Sequence, residues 1–293
     1  MSGLDIVIVS YRCRELVRDC LSSLRDHRPR QPMQIYLIDN ASGDGTVEMV
    51  SAEFPDVDVV AADRNLGFAA GTNCGIRLGQ AEYILALNPD TRLTPRTLDQ
   101  LIEVMDAHPD VGICGPRLVR EDGSLDHAAK RSFPTPLGAL AHFAGIGRSQ
   151  YRAPHVEEGS VDAVNGAFML IRRGMLDQIG LFDEGYWMYM EDLDLCYRAK
   201  QAGWLTWYEP HAVAVHVKQG SSPSGRTSRL EVAFHYGMYR FYRRHYAPLR
   251  SRLVNAAVYA GISAKLGIAL GRTLLRRLAA GGRRRSTVST AAR

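Results

Sequence analysis

Short apolar and β-branched runs alternate with longer segments of helical periodicity over the first 115 residues of this 293-residue chain. This alternation is typical of βαβ units, whose strands lie parallel in one sheet covered by helices. It predicts strands over residues 6–9, 35–38, 57–60 and 83–87 and helices over 14–27, 68–78 and 97–107. An apolar content of 46% suits one large α/β body and excludes collagen-like or disordered chains.

The pattern is less regular beyond residue 111. Residues 120–160 are rich in Gly, Pro, His and Arg without a sustained period, so we expect a long variable segment that contacts a substrate. A strand is predicted over 161–171, followed by residues 173–179 and by a helix that begins near Met190.

Two carboxylates follow strands of the predicted parallel sheet. Asp39 closes the second strand, and Asp90 lies in an Asn-Pro-Asp sequence after the fourth. Ligands of open α/β sheets bind at this carboxyl edge. We therefore expect Asp39 to bind a nucleobase and Asp90 to hold a hard divalent cation against a diphosphate, although Pro-Asp is also an ordinary turn sequence.

Glycines recur every fourth residue at Gly67, Gly71 and Gly75, which places them on one side of a helix and lets another backbone approach closely. A helix that only packs would explain this spacing. Asn65 and Asn73 favour a binding role, since amide donors near a helix N-terminus suit a phosphate or a sugar.

Three acids, Glu191, Asp192 and Asp194, open the helix that begins near residue 190. The helix dipole favours acids in a first turn, and Asp194 can pair with Arg198 four residues on. The aromatic and apolar run 185–190 instead favours a general base here, because it would desolvate a carboxylate and raise its pKa.

One histidine, His216, follows a short apolar run. Alone, such a histidine is typical of a structural role. Together with Asp90 it can complete a metal site, since imidazole is the commonest neutral metal ligand.

Charge is distributed unevenly along the chain. Residues 232–293 carry 13 Lys and Arg and no acid, whereas residues 1–231 carry 23 basic and 31 acidic residues. This asymmetry argues against nucleic acid bound along the whole surface and favours an anionic partner for the tail. The longest uncharged run within the helical pattern 253–278 is 253–264, which is shorter than a bilayer span. We therefore expect this helix to lie on an anionic membrane surface. A helix packed on the protein's own body or in a dimer is the alternative.

The five cysteines lie far apart without a CxxC pair, which argues against a zinc site or a disulfide framework and favours reduced cytosol. The N-terminus lacks the pattern of a signal peptide. We therefore expect a cytoplasmic protein, peripheral at the inner face of the cell membrane.

Six motifs occur in an order that resembles a known family: VSY at 9–11, IDNASGDGT at 38–46, NLGFAAGTN at 65–73, NPD at 88–90, GLFDEGYWMYMEDLDLCYR at 180–198 and HVKQGSS at 216–222. Over about residues 4–245 the chain resembles an inverting glycosyltransferase of family 2. Within that family it is most similar to rhamnosyltransferases acting on lipid-linked or cell-envelope glycans, with galactofuranosyltransferases nearby.

This resemblance implies an α/β GT-A fold with a mixed central sheet. Its parts would be a Rossmann-like nucleotide-sugar-binding half over 1–115, an acceptor-binding and catalytic half over 116–247 and a helical, membrane-associating tail over 248–293.

Residue roles are implied in the same way. The nucleoside would be held by Ser10, Tyr11, Asp39 and Asn40, and the donor-proximal loop and helix would contribute Asn65 and Asn73. Asp192 would be the catalytic base with Glu191 beside it, and the metal site would consist of Asp90 and His216. Asn88, also at the donor site, stands where the family's DxD motif has its first acid.

The implied reaction is transfer of L-rhamnose from dTDP-rhamnose, with inversion, to a lipid-linked or cell-envelope glycan acceptor, with Mg or Mn as cofactor. The alternatives are a galactofuranosyl or other hexosyl transferase using a UDP-sugar and, from another class, a catalytically inactive nucleotide-sugar-binding protein. A dinucleotide dehydrogenase is disfavoured because no GxGxxG follows the first strand. Residues 10–14 also lack the glycine-rich basic loop that a nucleotidyltransferase would need.

Overall fold

The computed structural model describes residues 3–134, 157–218 and 227–290, with side chains up to residue 276. The chain divides into two compact units, Met1–Trp187 with Glu191–Gly220 and Met188–Met190 with Ser221–Arg293. Much of the segment 120–160, predicted to contact a substrate, and the end of the HVKQGSS motif lie outside the described residues.

The first unit consists of strands, with helices between them. The strands are β1 (Leu4–Ser10), β2 (Met33–Asp39), β3 (Val57–Ala61), β4 (Tyr83–Leu87), β5 (Thr91–Leu93), β6 (Val111–Val119), β7 (Lys130–Arg131), β8 (Gly159–Val161), β9 (Ala163–Val164), β10 (Phe168–Arg172) and β11 (Leu205–His216). The helices are α1 (Arg14–Asp26), α2 (Thr46–Glu53), α3 (Phe68–Leu78), α4 (Thr97–Ala107), α5 (Arg173–Ile179) and α6 (Glu191–Gln201).

Among the described residues, one mixed sheet has the strand order β3-β2-β1-β4-β10-β6-β11-β5, with β8 paired to β11. The first four strands are parallel, whereas β10 runs antiparallel to β4 and β6. The predicted strands of the first 115 residues and the mixed sheet are confirmed. Chain order reverses between β1 and β4, so the carboxyl ends of β1, β2 and β4 meet at a switch point where ligands bind in such sheets.

The helices cover the sheet as their periodicity predicts. α1 buries Val17, Cys20, Leu21 and Leu24 on one face. A fully buried Leu or Val is worth roughly 1.5–3 kcal/mol relative to exposure, so this face fixes the helix on the sheet.

α3 approaches β1 closely through its glycines. A Cβ at Gly71 would lie 2.9 Å from Val9 Cγ1, and one at Gly75 would lie 2.5 Å from Val7 Cγ1. The glycine face therefore packs closely on the valine side chains of β1, the strand that ends at Ser10. Gly67 instead caps the helix, with a positive φ of 87°.

The strand predicted over 161–171 is wrong in its continuity. The region forms three short strands, β8, β9 and β10, with a turn between the last two. In this turn Ala167 N donates to Asn165 Oδ1 at 2.9 Å, and Phe168 N donates to Asn165 O at 3.2 Å. The asparagine side chain therefore competes with strand pairing and ends the strand.

Several elements were not predicted from the sequence, and three of them show why. β6 is obscured by Gly112, Gly115 and Pro116, which interrupt its apolar run. β5 has three residues, too few for a periodic pattern. The third is the helix Ser228–His245 of the second unit, called α7, with polar residues spread through its apolar positions.

The second unit contains α7, a short 3₁₀ turn (Ala247–Leu249) and α8 (Arg252–Thr290). Tyr242 donates to Asn255 Oδ1 at 2.7 Å and so joins the two helices. α7 also packs on Met188–Met190, where the rings of Tyr189 and Phe234 are 5.9 Å apart.

α8 confirms the predicted helix of the tail and extends it to 39 residues. Within the described residues, Arg252–Arg276 is the one helical section that is long and apolar enough to cross a membrane. Its most apolar stretch has a mean hydropathy of 1.5, and 6% of that stretch is buried. The length and composition of this section therefore allow a membrane-spanning helix. They also allow the helix lying on the membrane surface that the sequence predicted.

Candidate active site

Asp39 lies at the carboxyl end of β2, directly opposite Ser10 at the end of β1. Ser10 Oγ donates to Asp39 Oδ1 at 2.9 Å, and Ser42 N donates to Oδ2 at 2.9 Å. Ser42 Oγ also donates to Oδ1. These donors fix a buried carboxylate at the switch point of the sheet, as the sequence predicted for this residue.

Tyr11 follows Ser10 and leaves 43% of its surface exposed at the same edge. The guanidinium of Arg12 lies 5.3 Å from its ring centre. An exposed aromatic ring beside a fixed carboxylate can stack on a base while the carboxylate accepts a hydrogen bond from that base.

Asn40 shapes the loop before α3. Its Nδ2 donates to Gly67 O at 3.1 Å, and Leu66 N donates to its Oδ1 at 3.3 Å. In the same loop, Gly67 N donates to Asn65 Oδ1 at 2.9 Å. Both asparagines therefore hold the loop that precedes α3, beside the predicted nucleoside site.

Asn73 lies in α3, and its buried amide bonds to the protein. Its Nδ2 donates to Phe182 O at 2.8 Å and to Glu184 Oε1 at 2.9 Å, and Phe182 N donates to Oδ1 at 3.1 Å. The structure thus uses this amide to fasten the segment 182–184 to α3, an arrangement that does not leave it open toward a donor.

Asp90 and His216 come together through strand pairing. His216 ends β11 opposite Thr91, the residue after Asp90, and Val217 N donates to Asp90 O at 2.9 Å. His216 Nε2 lies 3.5 Å from Asp90 Oδ1. Asn88 precedes this pair, and its backbone N donates to Ala167 O at 2.9 Å.

A second acid, Asp126, which the sequence did not predict, contacts the same histidine. His216 Nδ1 lies 3.0 Å from Asp126 Oδ2, and Lys218 Nζ lies 2.7 Å from Asp126 Oδ1. Burial opposes the charge on His216, but its hydrogen bonds to Asp126 and Asp90 outweigh burial and raise its pKa to about 9. Although burial opposes ionisation of Asp126, the hydrogen bonds from His216 and Lys218 hold its pKa well below the usual range.

Asp192 lies in the first turn of α6 and accepts three hydrogen bonds. Gly166 N donates to Oδ2 at 2.9 Å and Leu193 N donates to Oδ1 at 2.8 Å. Arg131 on β7 also donates to Oδ2, from Nη2. This arginine, like Asp126, lies in the segment without periodicity, where no pattern identified it.

Glu191, which precedes Asp192, is also buried but has fewer hydrogen-bond partners. Its Oε2 has no hydrogen-bond partner within the described part of the chain. Burial, followed by the neighbouring charge of Asp192, raises the pKa of Glu191 to about 8. The predicted desolvation of a carboxylate therefore acts on Glu191.

Asp194 has the structural role that the alternative interpretation gave it. Arg198 Nε donates to Asp194 Oδ2 at 2.8 Å, and Tyr186 donates to Oδ1 at 3.3 Å. The arginine also donates to the carbonyls of Ile179 and Leu181. This pair anchors α6 to the segment that follows α5.

One turn links Asp192 to the segment that contains Asp90. Gly166 N binds the carboxylate of Asp192, and the next carbonyl, Ala167 O, accepts from Asn88 N at 2.9 Å and from Thr91 Oγ1 at 3.4 Å. Chemically, the arrangement connects a carboxylate through one turn to two side chains whose chemistry suits a cation, at the edge that binds ligands in such sheets.

Comparison with known proteins identifies the family. The sequence model described as "Glycosyl transferase family 2" matches residues 5–180, more than half of the chain. The chain belongs to glycosyl transferase family 2. The predicted enzyme class, a glycosyltransferase, is thereby confirmed.

Relatives agree with this family. An N-acetylglucosaminyl-diphospho-decaprenol L-rhamnosyltransferase of Mycobacterium tuberculosis is 32% identical over 259 residues, which cover 81% of this glycosyltransferase and 83% of the relative. The predicted resemblance to rhamnosyltransferases is confirmed by this match.

Solved structures show the fold. GalNAc-T7 with UDP, GalNAc and Mn2+ matches with a TM-score of 0.61 and 16% identity, covering 83% of this glycosyltransferase and 48% of that chain. Mannosyltransferase PcManGT of Pyrobaculum calidifontis, with GDP-Man and Mn2+, matches with a TM-score of 0.57 and 16% identity. The match covers 99% of this glycosyltransferase and 79% of that chain. The predicted GT-A fold is confirmed.

A second group of possible metal ligands lies elsewhere in the glycosyltransferase. Glu158, Glu209 and His211 bring three ligand atoms within 4.8 Å of one another, of which only Glu209 belongs to a buried residue. No sequence pattern predicted this cluster. Exposed acidic groups often cluster without a metal, and nothing else in the described residues points to a ligand there.

Proposed function

We propose that this glycosyltransferase transfers L-rhamnose from dTDP-rhamnose, with inversion, to a lipid-linked or cell-envelope glycan. The observation that carries the choice of sugar and acceptor is the 32% identity, over 81% of the chain, to a rhamnosyltransferase named for N-acetylglucosaminyl-diphospho-decaprenol. The linkage of Asp192 to Asn88 through the turn that contains Gly166 supports a transferase over an inactive binding protein.

Asp90 and His216 are proposed to hold a divalent cation, Mg or Mn. Their facing atoms, a carboxylate oxygen and an imidazole nitrogen 3.5 Å apart, fit two neighbouring positions of a coordination shell. Two protein ligands suit such metals, because substrate phosphates fill other positions. When bound, the cation would neutralise charge that develops on the leaving nucleoside diphosphate.

Asp192 is proposed to accept the proton of the acceptor hydroxyl. As that oxygen forms its bond to the anomeric carbon, the bond from this carbon to the diphosphate breaks on the opposite face and dTDP leaves with the electron pair. The single displacement inverts the anomeric centre. Arg131, Gly166 N and Leu193 N orient the carboxylate for this step.

Glu191 is proposed to support the base without replacing it. Its raised pKa favours a protonated side chain, so burial of two adjacent carboxyl groups leaves a single negative charge. That charge then lies on Asp192, the residue with the three donors.

The nucleoside is proposed to lie against Ser10, Tyr11, Asp39 and Asn40, with the exposed ring of Tyr11 stacked on the base. Asn65 and Asn88 would lie along the donor. Asn73 would act indirectly, through the segment 182–184 that it fastens.

The tail over 248–293 is proposed to bring the enzyme to an anionic membrane surface on the cytoplasmic side, beside a lipid-linked acceptor. The basic residues of this tail and the sparse burial of Arg252–Arg276 support that placement. The nucleotide-sugar half over 1–115 and the acceptor and catalytic half over 116–247 remain proposed functional divisions.

A panel of nucleotide sugars tests the proposal. Purified enzyme with Mn2+ should release dTDP from dTDP-rhamnose faster than it releases UDP from UDP-galactofuranose or other UDP-hexoses, and a membrane extract should increase this release. Preference for a UDP-sugar would establish the hexosyl alternative. Absence of release from every donor, with folded protein that still binds one, would establish the inactive sugar-nucleotide binder.

A further inference from the structure

Four ionisable side chains form a continuous line that begins at the proposed metal site. Asp90 Oδ1 faces His216 Nε2 at 3.5 Å, and His216 Nδ1 faces Asp126 Oδ2 at 3.0 Å. Asp126 Oδ1 in turn faces Lys218 Nζ at 2.7 Å. Asp126 therefore touches the histidine on the side away from Asp90.

Asp126 is held rigidly in this position. Its side chain is 1% exposed, its backbone N donates to Leu118 O at 2.9 Å and Ala128 N donates to Oδ1 at 3.0 Å. A buried carboxylate is costly unless it is paired and hydrogen-bonded, and here its two oxygens have three partners. Such a residue can fix the orientation of a neighbouring ring.

We propose that Asp126 is a positioning residue, which accepts a hydrogen bond from His216 Nδ1–H and thereby presents Nε2 to the cation. The inference rests on the proposed function, since it requires a cation at Asp90 and His216. Histidine ligands of metals almost always donate their second ring nitrogen to a carboxylate, a carbonyl or a water, which fixes the tautomer and increases the basicity of the ligating nitrogen.

Lys218 completes this arrangement. A histidine that ligates a cation through Nε2 is neutral, so it leaves the charge of Asp126 uncompensated. The ammonium of Lys218 supplies that compensation at 2.7 Å. Asp126 can therefore remain ionised, and an acceptor for Nδ1–H, while the metal is bound.

The substitution Asp126→Asn separates orientation from packing. Lys218 and Ala128 both donate to the position of Oδ1, so the amide oxygen should take that place and the NH2 should face His216. The imidazole would then accept at Nδ1 and carry its proton on Nε2, the atom needed by the cation. The side chain keeps its size, so packing is preserved while the charge is lost and the tautomer of His216 is reversed.

Mn2+ binding tests directly whether Asp126 positions His216 for the cation. Free Mn2+ is measured by electron paramagnetic resonance during titration of the protein with dTDP present. Asp126→Asn and Asp126→Ala should each weaken Mn2+ binding about 10–100-fold. Asp5→Ala is the matched control, since Asp5 is a buried carboxylate paired with Arg173 at 2.8 Å near the opposite end of the sheet, and Mn2+ affinity should not change.

Long-range 1H–15N spectra of the Mg2+- and dTDP-loaded enzyme give a second readout that does not depend on activity. The signal assigned by comparison with His216→Ala should show a proton on Nδ1 of His216. A proton on Nε2 in the wild type overturns the proposal even if the Asp126 variants do not fold.

The outcomes separate this inference from the proposed function. Wild-type Mn2+ affinity in folded Asp126→Asn and Asp126→Ala overturns the positioning role, while loss of binding in His216→Ala would still support the metal site. Failure of the wild type to bind Mn2+ overturns the metal site and the positioning role together.

Discussion

The backbone nitrogen of Gly166 lies 2.9 Å from Oδ2 of Asp192. A Cβ at position 166 would lie 3.0 Å from the Cβ of Asp192 and 3.2 Å from that same oxygen. A side chain at the second residue of the turn between β9 and β10 would thus press on the proposed base, which would have to shift by a few tenths of an ångström.

Gly166→Ala should therefore displace the carboxylate of Asp192 and lower kcat roughly tenfold, because small misplacements of a reacting group are costly. Donor affinity should change little, since the substitution is not at the proposed nucleoside site. Steady-state kinetics with a dTDP-rhamnose series measures both. Gly174→Ala in α5, where nothing lies within 4 Å of an added Cβ, is the control. Wild-type kcat in Gly166→Ala would show that this contact does not position the base.

Asp192→Asn should reduce turnover at least about a hundredfold while donor affinity stays near that of the wild type, because an amide keeps the shape but cannot accept the proton. Single-turnover kinetics and calorimetric donor binding separate the two effects. Asp194→Asn, in the same helix, should lower thermal stability through its pair with Arg198 but retain turnover. Near-normal turnover in Asp192→Asn would assign the base to Glu191 or Asp194.

The pH dependence of stability should report Glu191. Its pKa in the folded protein, about 8, lies above the ordinary value of 4.5 because of burial and the charge of Asp192. The protonated carboxyl of Glu191 therefore makes its full contribution to the free energy of unfolding below about pH 4.5. This contribution is lost as the pH rises through about 8. Glu191→Gln should thus gain in Tm relative to the wild type as the pH rises.

Thermal unfolding between these pH values measures the difference. Glu184→Gln is the control, since hydrogen bonds from Asn73 and Arg77 lower the pKa of Glu184. It should show no such gain. A constant Tm difference between Glu191→Gln and the wild type would contradict the raised pKa.

Asp90→Ala and His216→Ala should each lose divalent-metal dependence and donor affinity, because both side chains are proposed to ligate one cation. Donor binding with and without Mn2+ measures this, with Asp5→Ala as the control for a buried carboxylate. Full activity of wild-type enzyme in chelator, with the protein shown to be metal-free, would refute the metal site.

Truncation after Ala247 should leave donor hydrolysis intact, release the protein from anionic vesicles and reduce transfer to a lipid acceptor. Each basic residue near an anionic surface is worth on the order of 1 kcal/mol, and the tail carries many. Flotation at moderate salt measures binding, and extraction of the full chain with high salt separates a surface helix from a spanning one. Unchanged flotation after truncation would favour a helix packed on the protein itself.

Much of the fold could be predicted because each element carried its own pattern. α3 and α4 follow their apolar periodicity to the residue, and the acids at the strand ends followed from the geometry of parallel sheets. The strand over 161–171 failed because a buried apolar run conceals the turn at Asn165, whose side chain bonds the backbone two residues later.

The partners of the site were less predictable. Asp126 and Arg131 lie in a segment without periodicity and reach His216 and Asp192 only through tertiary contacts. Asn73 shows that a sequence pattern can also predict a contact that the structure does not make. Its position near a helix N-terminus predicted a ligand, whereas its amide donates to Phe182 and Glu184. Sequence spacing identifies side chains of suitable chemistry, but their hydrogen-bond partners depend on the packed structure.

The stereochemistry of transfer tests the central claim most directly. Wild-type enzyme and Asp192→Asn are incubated with dTDP-rhamnose, Mn2+ and a lipid-diphosphate-linked N-acetylglucosamine, and the product is analysed by nuclear magnetic resonance. The wild type should form a rhamnoside whose anomeric configuration is opposite to that of the donor, and the variant should form it at least about a hundredfold more slowly. A product with the donor's configuration, or equal rates for both proteins, would contradict inverting transfer with Asp192 as the base.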